Sequence, residues 1–315
     1  MPKITPFKAI RPNKDIAAKV AALPYDVYNR KEAIDIVANE PLSFLKIDRA
    51  ETSFPENVST YDDCVYQRAK ELLEMMITDG SFIIENNTCY YIYELTMDGH
   101  TQTGFVACSA VSDYQDDIIK KHENTRPEKE LDRIRHIDTT NAHTGPIFMA
   151  YRANGAINGI IVNEKKAAAE YDFVSDDGIR HRVWVINDDK TINELEKAFS
   201  AIPATYIADG HHRCASAYKV ALKRKEDNPH HSGDEEYNRF LSVLFPDDQL
   251  KILPYNRVVA DLNGLSQDEF VEAIKNQGFL VEYTGKEAVA PDRKGVFGMY
   301  LRGNGWYRLT AKPEL

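Results

Sequence analysis

The sequence predicts an α+β protein with mixed sheets and flanking helices, and three observations carry that expectation. Strand-like and helix-like runs alternate through much of the 315-residue chain. Tight hairpin signals, Asp98-Gly99 and Gly303-Asn304-Gly305, stand toward both ends, where a doubly wound parallel sheet would need crossovers. Between them a glycine, Gly210, separates the strand-like Ala204–Ala208 from the helix-like Cys214–Leu222.

Each element follows from local chemistry. Pro24-Tyr25-Asp26 reads as an extended segment or turn, because proline lacks a donor and restrains its predecessor. Residues 59–80 form the first clear helix. Ser59 or Thr60 can cap it, Asp62 and Asp63 suit its positive end, and Tyr61, Val65, Leu72, Leu73 and Met76 share one face before Gly80. Cys89–Thr96 and Thr103–Val111 are β-rich runs around the Asp98-Gly99 turn. Thr125-Arg126-Pro127-Glu128 has the form of a capping box with proline in the first turn, opening a helix to about Asn141. Arg182–Ile186, Ala204–Ala208, Arg239–Phe245 and Tyr255–Ala260 are further strand candidates. Ser266-Gln267-Asp268-Glu269 is a second capping box, for a helix ending near Gly278, and Phe297–Arg302 and Trp306–Thr310 form the last hairpin. Arg224–Glu236 is polar and turn-rich, an expected loop beside the site.

Length and apolar content suffice for a buried core, and no apolar run approaches the ~20 residues needed to cross a bilayer. With no signal-like N-terminus, the cytoplasm is the expected location. The net charge of −10, from 39 basic and 49 acidic residues, argues against a broad nucleic-acid-binding face. Cys64, Cys89, Cys108 and Cys214 lack the spacing of a zinc knuckle. Cys214 follows the Gly210 corner, and its simplest reading is a small buried residue.

Asp209-Gly210-His211-His212-Arg213 is the most informative stretch. Glycine lets the backbone turn sharply and leaves the first helical N–H groups open to an anion. Capping by Asp209 alone would explain one acid, worth ~1 kcal/mol, but not two imidazoles and a guanidinium beside it. The corner therefore reads as a phosphate or carboxylate site. His122-Glu123-Asn124-Thr125-Arg126 is the second cluster, followed by Lys129, Asp132, Arg133 and His136 on one helical face. Such a face by itself reads as solvated. The preceding Ile118-Ile119 suggests a strand end, after which loops commonly carry function. A transition-metal site is not expected, because His122–Arg126 is not HExxH and adjacent His211 and His212 point different ways. Arg11, with Pro24-Tyr25-Asp26, reads either as a packed N-terminal turn or as a substrate contact.

On these residues the chain resembles the family catalogued as domain of unknown function 1015. The matching stretches are Pro24-Tyr25-Asp26-Val27, His122-Glu123-Asn124-Thr125, Lys129 with Asp132-Arg133, Gly145-Pro146-Ile147-Phe148 and Ile207–Arg213, and the likeness runs through essentially the whole chain. It implies one family unit over 1–315, which could divide into lobes of about 1–112 and 113–315, the second carrying the site. Members usually continue into a Pro-Lys-Ser-Thr-rich tail, so a chain ending at Ala311–Leu315 leads us to expect a truncation.

The Asp-Gly-His-His-Arg corner is also similar to that of ParB/sulfiredoxin-like kinases that phosphorylate free L-serine. By that likeness Gly210, His211, His212 and Arg213 would bind nucleotide phosphates, with Asp209 beside the acceptor hydroxyl. Those enzymes have a separate glutamate proposed as base; Glu123, with His122 beside it, is our assignment to that role without a motif match. Phosphoryl transfer asks chiefly for charge neutralisation and placement, which helix N–H groups, Arg213 and Mg²⁺ can supply for ATP or ADP. Arg126, Arg133 or Arg11 could hold the acceptor's carboxylate. The expected function is a small-molecule kinase, with L-serine as acceptor. A ParB-like nucleic-acid-binding module and a His/Glu-based hydrolase are the alternatives.

Overall fold

Asp98 and Gly99 turn the chain as their residue types demand, both at positive φ, 50° and 75°. This geometry matches the twist of paired strands, so the chain returns antiparallel on itself. The computed structural model describes residues 1–253 and 255–315. It is α+β, with two compact units, Met1–Lys251 and Ile252–Leu315.

The first unit opens with β1 (Ile4–Thr5), β2 (Ile10–Pro12), α1 (Ala17–Val20), α2 (Arg30–Asn39), α3 (Leu45–Asp48) and α4 (Asp63–Thr78). Next come β3 (Phe82–Ile84), the hairpin strands β4 (Tyr90–Met97) and β5 (His100–Ala110), α5 (Val111–Gln115), β6 (Ile119–Lys120) and α6 (Pro127–Thr140). It continues with β7 (Ile147–Tyr151), α7 (Gly155–Glu164), β8 (Tyr171–Val174), β9 (Arg180–Ile186) and α8 (Asp189–Phe199). It closes on β10 (Thr205–Asp209), α9 (His211–Asp227) and β11 (Arg239–Pro246). Residue 112 lies inside α5.

The described residues of this unit form a nine-stranded mixed sheet, ordered β6-β10-β7-β11-β5-β4-β9-β8 with β1 also on β5. Its main core joins sheet residues such as Tyr90, Phe105 and Tyr151 to Ile157, Phe199 and Cys214 of the helices. A second apolar cluster, including Ile47, Leu72, Met76 and Phe82, joins α3, α4 and β3. α6 rests against α4.

Two helix starts differ from the sequence expectation. α4 begins at Asp63, not near Ser59, and Tyr61 remains 59% exposed ahead of it. The Asp62 carboxylate accepts the Ser59 N–H (3.0 Å) and the Ser59 hydroxyl accepts the Tyr61 N–H (3.2 Å), so these side chains stabilise a turn. α6 starts at Pro127 with no side-chain cap, because the Thr125 hydroxyl donates to Glu130 instead of closing a box.

In the second unit both halves of the Ser266/Glu269 capping box form at α10 (Gln267–Asn276). α10 packs on β12 (Phe279–Gly285), whose sheet runs β12-β14-β13 with β13 (Val296–Leu301) and β14 (Gly305–Ala311). Tyr255–Ala260, expected as a strand, pairs with none among the described residues; Tyr255, Val258 and Val259 stand exposed. β-Propensity measures packing on a sheet and cannot make a strand without a neighbour. Among the described residues, no helix is long and apolar enough to cross a membrane.

Candidate functional site

Strand pairing brings three distant stretches to one place. β10 runs parallel to β6, with Thr205 opposite Ile119 and Tyr206 opposite Lys120. The loop after β6 and the turn after β10 therefore leave on the same side. β7 runs antiparallel to β10, with Phe148 opposite Asp209, so Gly145-Pro146 enters at that side too.

The turn after β10 is Gly210, at φ 94° and ψ 32°, which costs an L-residue roughly 1–2 kcal/mol. A Cβ there would also lie 3.1 Å from Arg213 Nε and Nη2. A Cβ on Gly145 would lie 3.2 Å from Arg213 Nη1. The Arg213 guanidinium thus occupies a slot between two glycines. It bonds Asp209 Oδ2 at 2.9 Å and the Pro146 carbonyl at 2.6 Å.

Among the described residues, no side chain caps the first turn of α9. His211 is buried there, with Nδ1 3.7 Å from Glu123 Oε2 and its ring edge-on to His122 at 4.4 Å between centroids. Burial first, and His122 second, hold the His211 pKa below its ordinary value, so the ring is neutral at pH 7. His211 Nε2 and His212 Nδ1 are buried and have no hydrogen-bond partner among the described residues. Buried polar atoms are normally paired. These two are exceptions.

Beside this corner is a cleft of about 260 Å³ whose lining includes Lys129, Asp132, Arg133 and His136 of α6 with Tyr25, Asp26 and Asp48. The α6 face stays solvated only at Lys129: Arg133 and His136 are buried, and Asp132 is only 12% exposed. Arg133 bonds Asp132 at 2.7 Å and lies over the Tyr25 ring at 4.1 Å, while the Tyr66 hydroxyl donates to Asp132 at 2.8 Å. Asp48 accepts from Thr144 at 2.6 Å and stands 3.5 Å from His136 Nε2. Burial would raise the Asp48 pKa, but His136 and Thr144 hold it below its ordinary value. Tyr25 joins the two parts, since burial raises its pKa while Arg133, and more weakly Arg213, lower it.

A family model described as "Protein of unknown function (DUF1015)" matches residues 4–315. The chain belongs to that family. No curated protein and no solved structure matches it.

In this DUF1015 chain, His122, Glu123, Asp209, Gly210, His211, His212 and Arg213 gather at the corner, and Arg133 lines the neighbouring cleft. Arg126 is the N-cap of α6, exposed and without an ion pair among the described residues. Arg11 does not join them. It bonds Glu85 (2.6 Å), Glu170 (2.9 Å) and Tyr171 (2.6 Å), at the β8 edge of the sheet rather than the β6 edge. Burying a guanidinium requires such partners, so its role is structural. Of the Arg224–Glu236 stretch expected as a loop, Arg224–Asp227 form the last turn of the 17-residue α9, and the remainder begins ~25 Å from Gly210 along the helix, not beside the site. Cys214 is fully buried with its thiol pKa pushed up, so it is a core residue. Sequence reasoning missed Asp48, Tyr66 and Thr144, which carry no local signal and reach the cleft only through tertiary packing.

Proposed function

We propose that this protein is a small-molecule kinase that moves a phosphoryl group from ATP, or ADP, to a hydroxylated metabolite, with free L-serine as the first candidate acceptor. One observation carries the reading. A helix start opened by Gly210, with no side-chain cap among the described residues, stands beside a guanidinium and two imidazoles that each keep a nitrogen without a hydrogen-bond partner. Helix N–H groups and Arg213 suit donor phosphates. The similarity of Asp209–Arg213 to the free-serine kinases supports the same assignment.

The adjoining cleft suits the acceptor. Asp26 and Lys129, an acid and a cation, line it without ion-pair partners among the described residues, as an amino acid's two charges would require. Arg126 and Arg133 stand near as further cations. Asp209 and Glu123, 69% and 62% exposed, fit Mg²⁺, which needs only one or two carboxylates beside donor phosphates. When bound, Mg²⁺ neutralises charge on those phosphates.

In transfer, the acceptor oxygen bonds to the terminal phosphorus as that phosphorus parts from its bridging oxygen. Asp209 is held by Arg213, which makes Glu123 the first candidate to receive the acceptor's proton, with neutral His211 beside it. Incubation with ATP, Mg²⁺ and L-serine should yield phosphoserine by mass spectrometry, with threonine, homoserine and inositol as competitors. Product from a competitor keeps the kinase and discards serine. The edge-on His122–His211 pair beside Glu123 favours a hydrolase as the second reading; nucleotide breakdown without acceptor phosphorylation would select it. Indifference to every nucleotide would refute both, and a preference for DNA would promote the ParB-like alternative.

A further inference from the structure

A second cavity, of about 330 Å³, lies on the first unit toward the other end of α9. Its lining residue Ala221 is ~15 Å along the helix from His211. Ala110, Val111 and Ala221 give it an apolar floor, and Lys3, Lys225 and Arg239 bring positive charge. Among the described residues, no carboxylate lines it. The first cleft, by contrast, carries Asp26, Asp48, Glu51 and Asp132.

That gathering runs against the composition of a chain with 49 acidic and 39 basic residues. None of the three cations has an ion-pair partner among the described residues; Arg239 donates to the Asp234 carbonyl at 2.8 Å. Two neighbouring carboxylates, Asp113 and Glu235, are bonded to backbone N–H groups and form no ion pair with these cations. Asp113 accepts the Lys3 N–H at 2.5 Å. Glu235 accepts the Ser232 and Gly233 N–H groups at 2.6 and 2.9 Å and stands 3.1 Å from His231 Nδ1. Lys225 has a reason of its own at the negative end of α9. Lys3, just before β1, and Arg239, at the start of β11, come from other elements and share no such reason. Like charges brought together repel unless an anion lies between them.

We propose that this cavity binds a small organic anion of at least two negative charges with an apolar portion, and that it is separate from the corner of Asp209–Arg213. Phosphate esters and polycarboxylates share that chemistry, so inorganic phosphate and citrate are the probes. In calorimetric titration of the full chain at low salt, one of them should bind saturably and weaken as sodium chloride rises. Lys3→Gln/Lys225→Gln should weaken binding roughly tenfold. Both lysines are exposed, so the melting temperature should hold. Ser112→Glu, which adds an acid at the exposed rim, should weaken it as well. Arg213→Ala should leave it unchanged. Absence of saturable binding by both probes, or binding that follows Arg213 and ignores the lysines and Ser112, would overturn the proposal. Preference for phosphate or for citrate then assigns the source of the charge.

Discussion

Replacing Gly210 by alanine tests the corner without presuming its chemistry, and Gly178→Ala supplies the reference. Both glycines hold positive φ, 94° and 80°, and a Cβ on Gly178 meets nothing within 4 Å. Alanine in that backbone region costs ~1–2 kcal/mol, offset in both variants by ~0.4–1 kcal/mol from a less flexible unfolded chain. Gly178→Ala should therefore lose about 1 kcal/mol. At Gly210 the new Cβ also stands 3.1 Å from Arg213 Nε and Nη2, so the guanidinium must move. Its exposed pair with Asp209 is worth at most ~1 kcal/mol, and its charged bond to the buttressing Pro146 carbonyl ~1.5–3 kcal/mol. Partial loss of both adds about 2 kcal/mol, or ~4–8 °C for a unit of this size. Urea and thermal unfolding of the full chain would measure the gap. In an Arg213→Ala background the extra cost should vanish, as a double-mutant cycle reads it. Equal losses at Gly178 and Gly210, or an extra cost that survives without Arg213, would refute the slot.

Other predictions concern function and pH. Asp209→Asn, which removes a carboxylate proposed to hold Mg²⁺ by the donor phosphates, should fold normally and drop phosphoryl transfer by roughly 10²–10³-fold, measured as phosphoserine formation; unchanged turnover would remove Asp209 from the site. Arg213→Ala should weaken ATP binding about 10–100-fold along with turnover, read by titration. Asp132→Asn leaves the buried Arg133 without its nearest counter-ion and should cost ~3 kcal/mol in urea, an estimate that a native-like midpoint would contradict. Burial pushes His143 down to about 4. The unfolded chain therefore binds a proton that the folded one resists, and stability falls as pH drops from 6.5 to 4, by ~3 kcal/mol. His143→Gln should flatten unfolding free energy across that window.

What the sequence determines by itself is local. The Asp98-Gly99 reversal, the Ser266/Glu269 box and the strand–glycine–helix corner at Gly210 each depend on a few adjacent residues whose backbone preferences need no distant partner. The capping box Asn29/Glu32 at α2 and the Asp188 cap of α8 are equally local signals. Tertiary structure decides the rest. Glu123 meets His211 only because β6 pairs parallel with β10. Arg133 and His136 leave solvent because α6 packs between α4 and α9 and because Asp132, Asp48 and Tyr25 are there to receive them. Arg11 has the same chemistry as Arg133, yet Glu85, Glu170 and Tyr171 hold it at the other edge of the sheet. A charged side chain goes where its burial is offset by partners, and those partners lie up to 160 residues away along the chain. Hence a local pattern can mark a residue as chemically capable, while only the fold decides which site it serves.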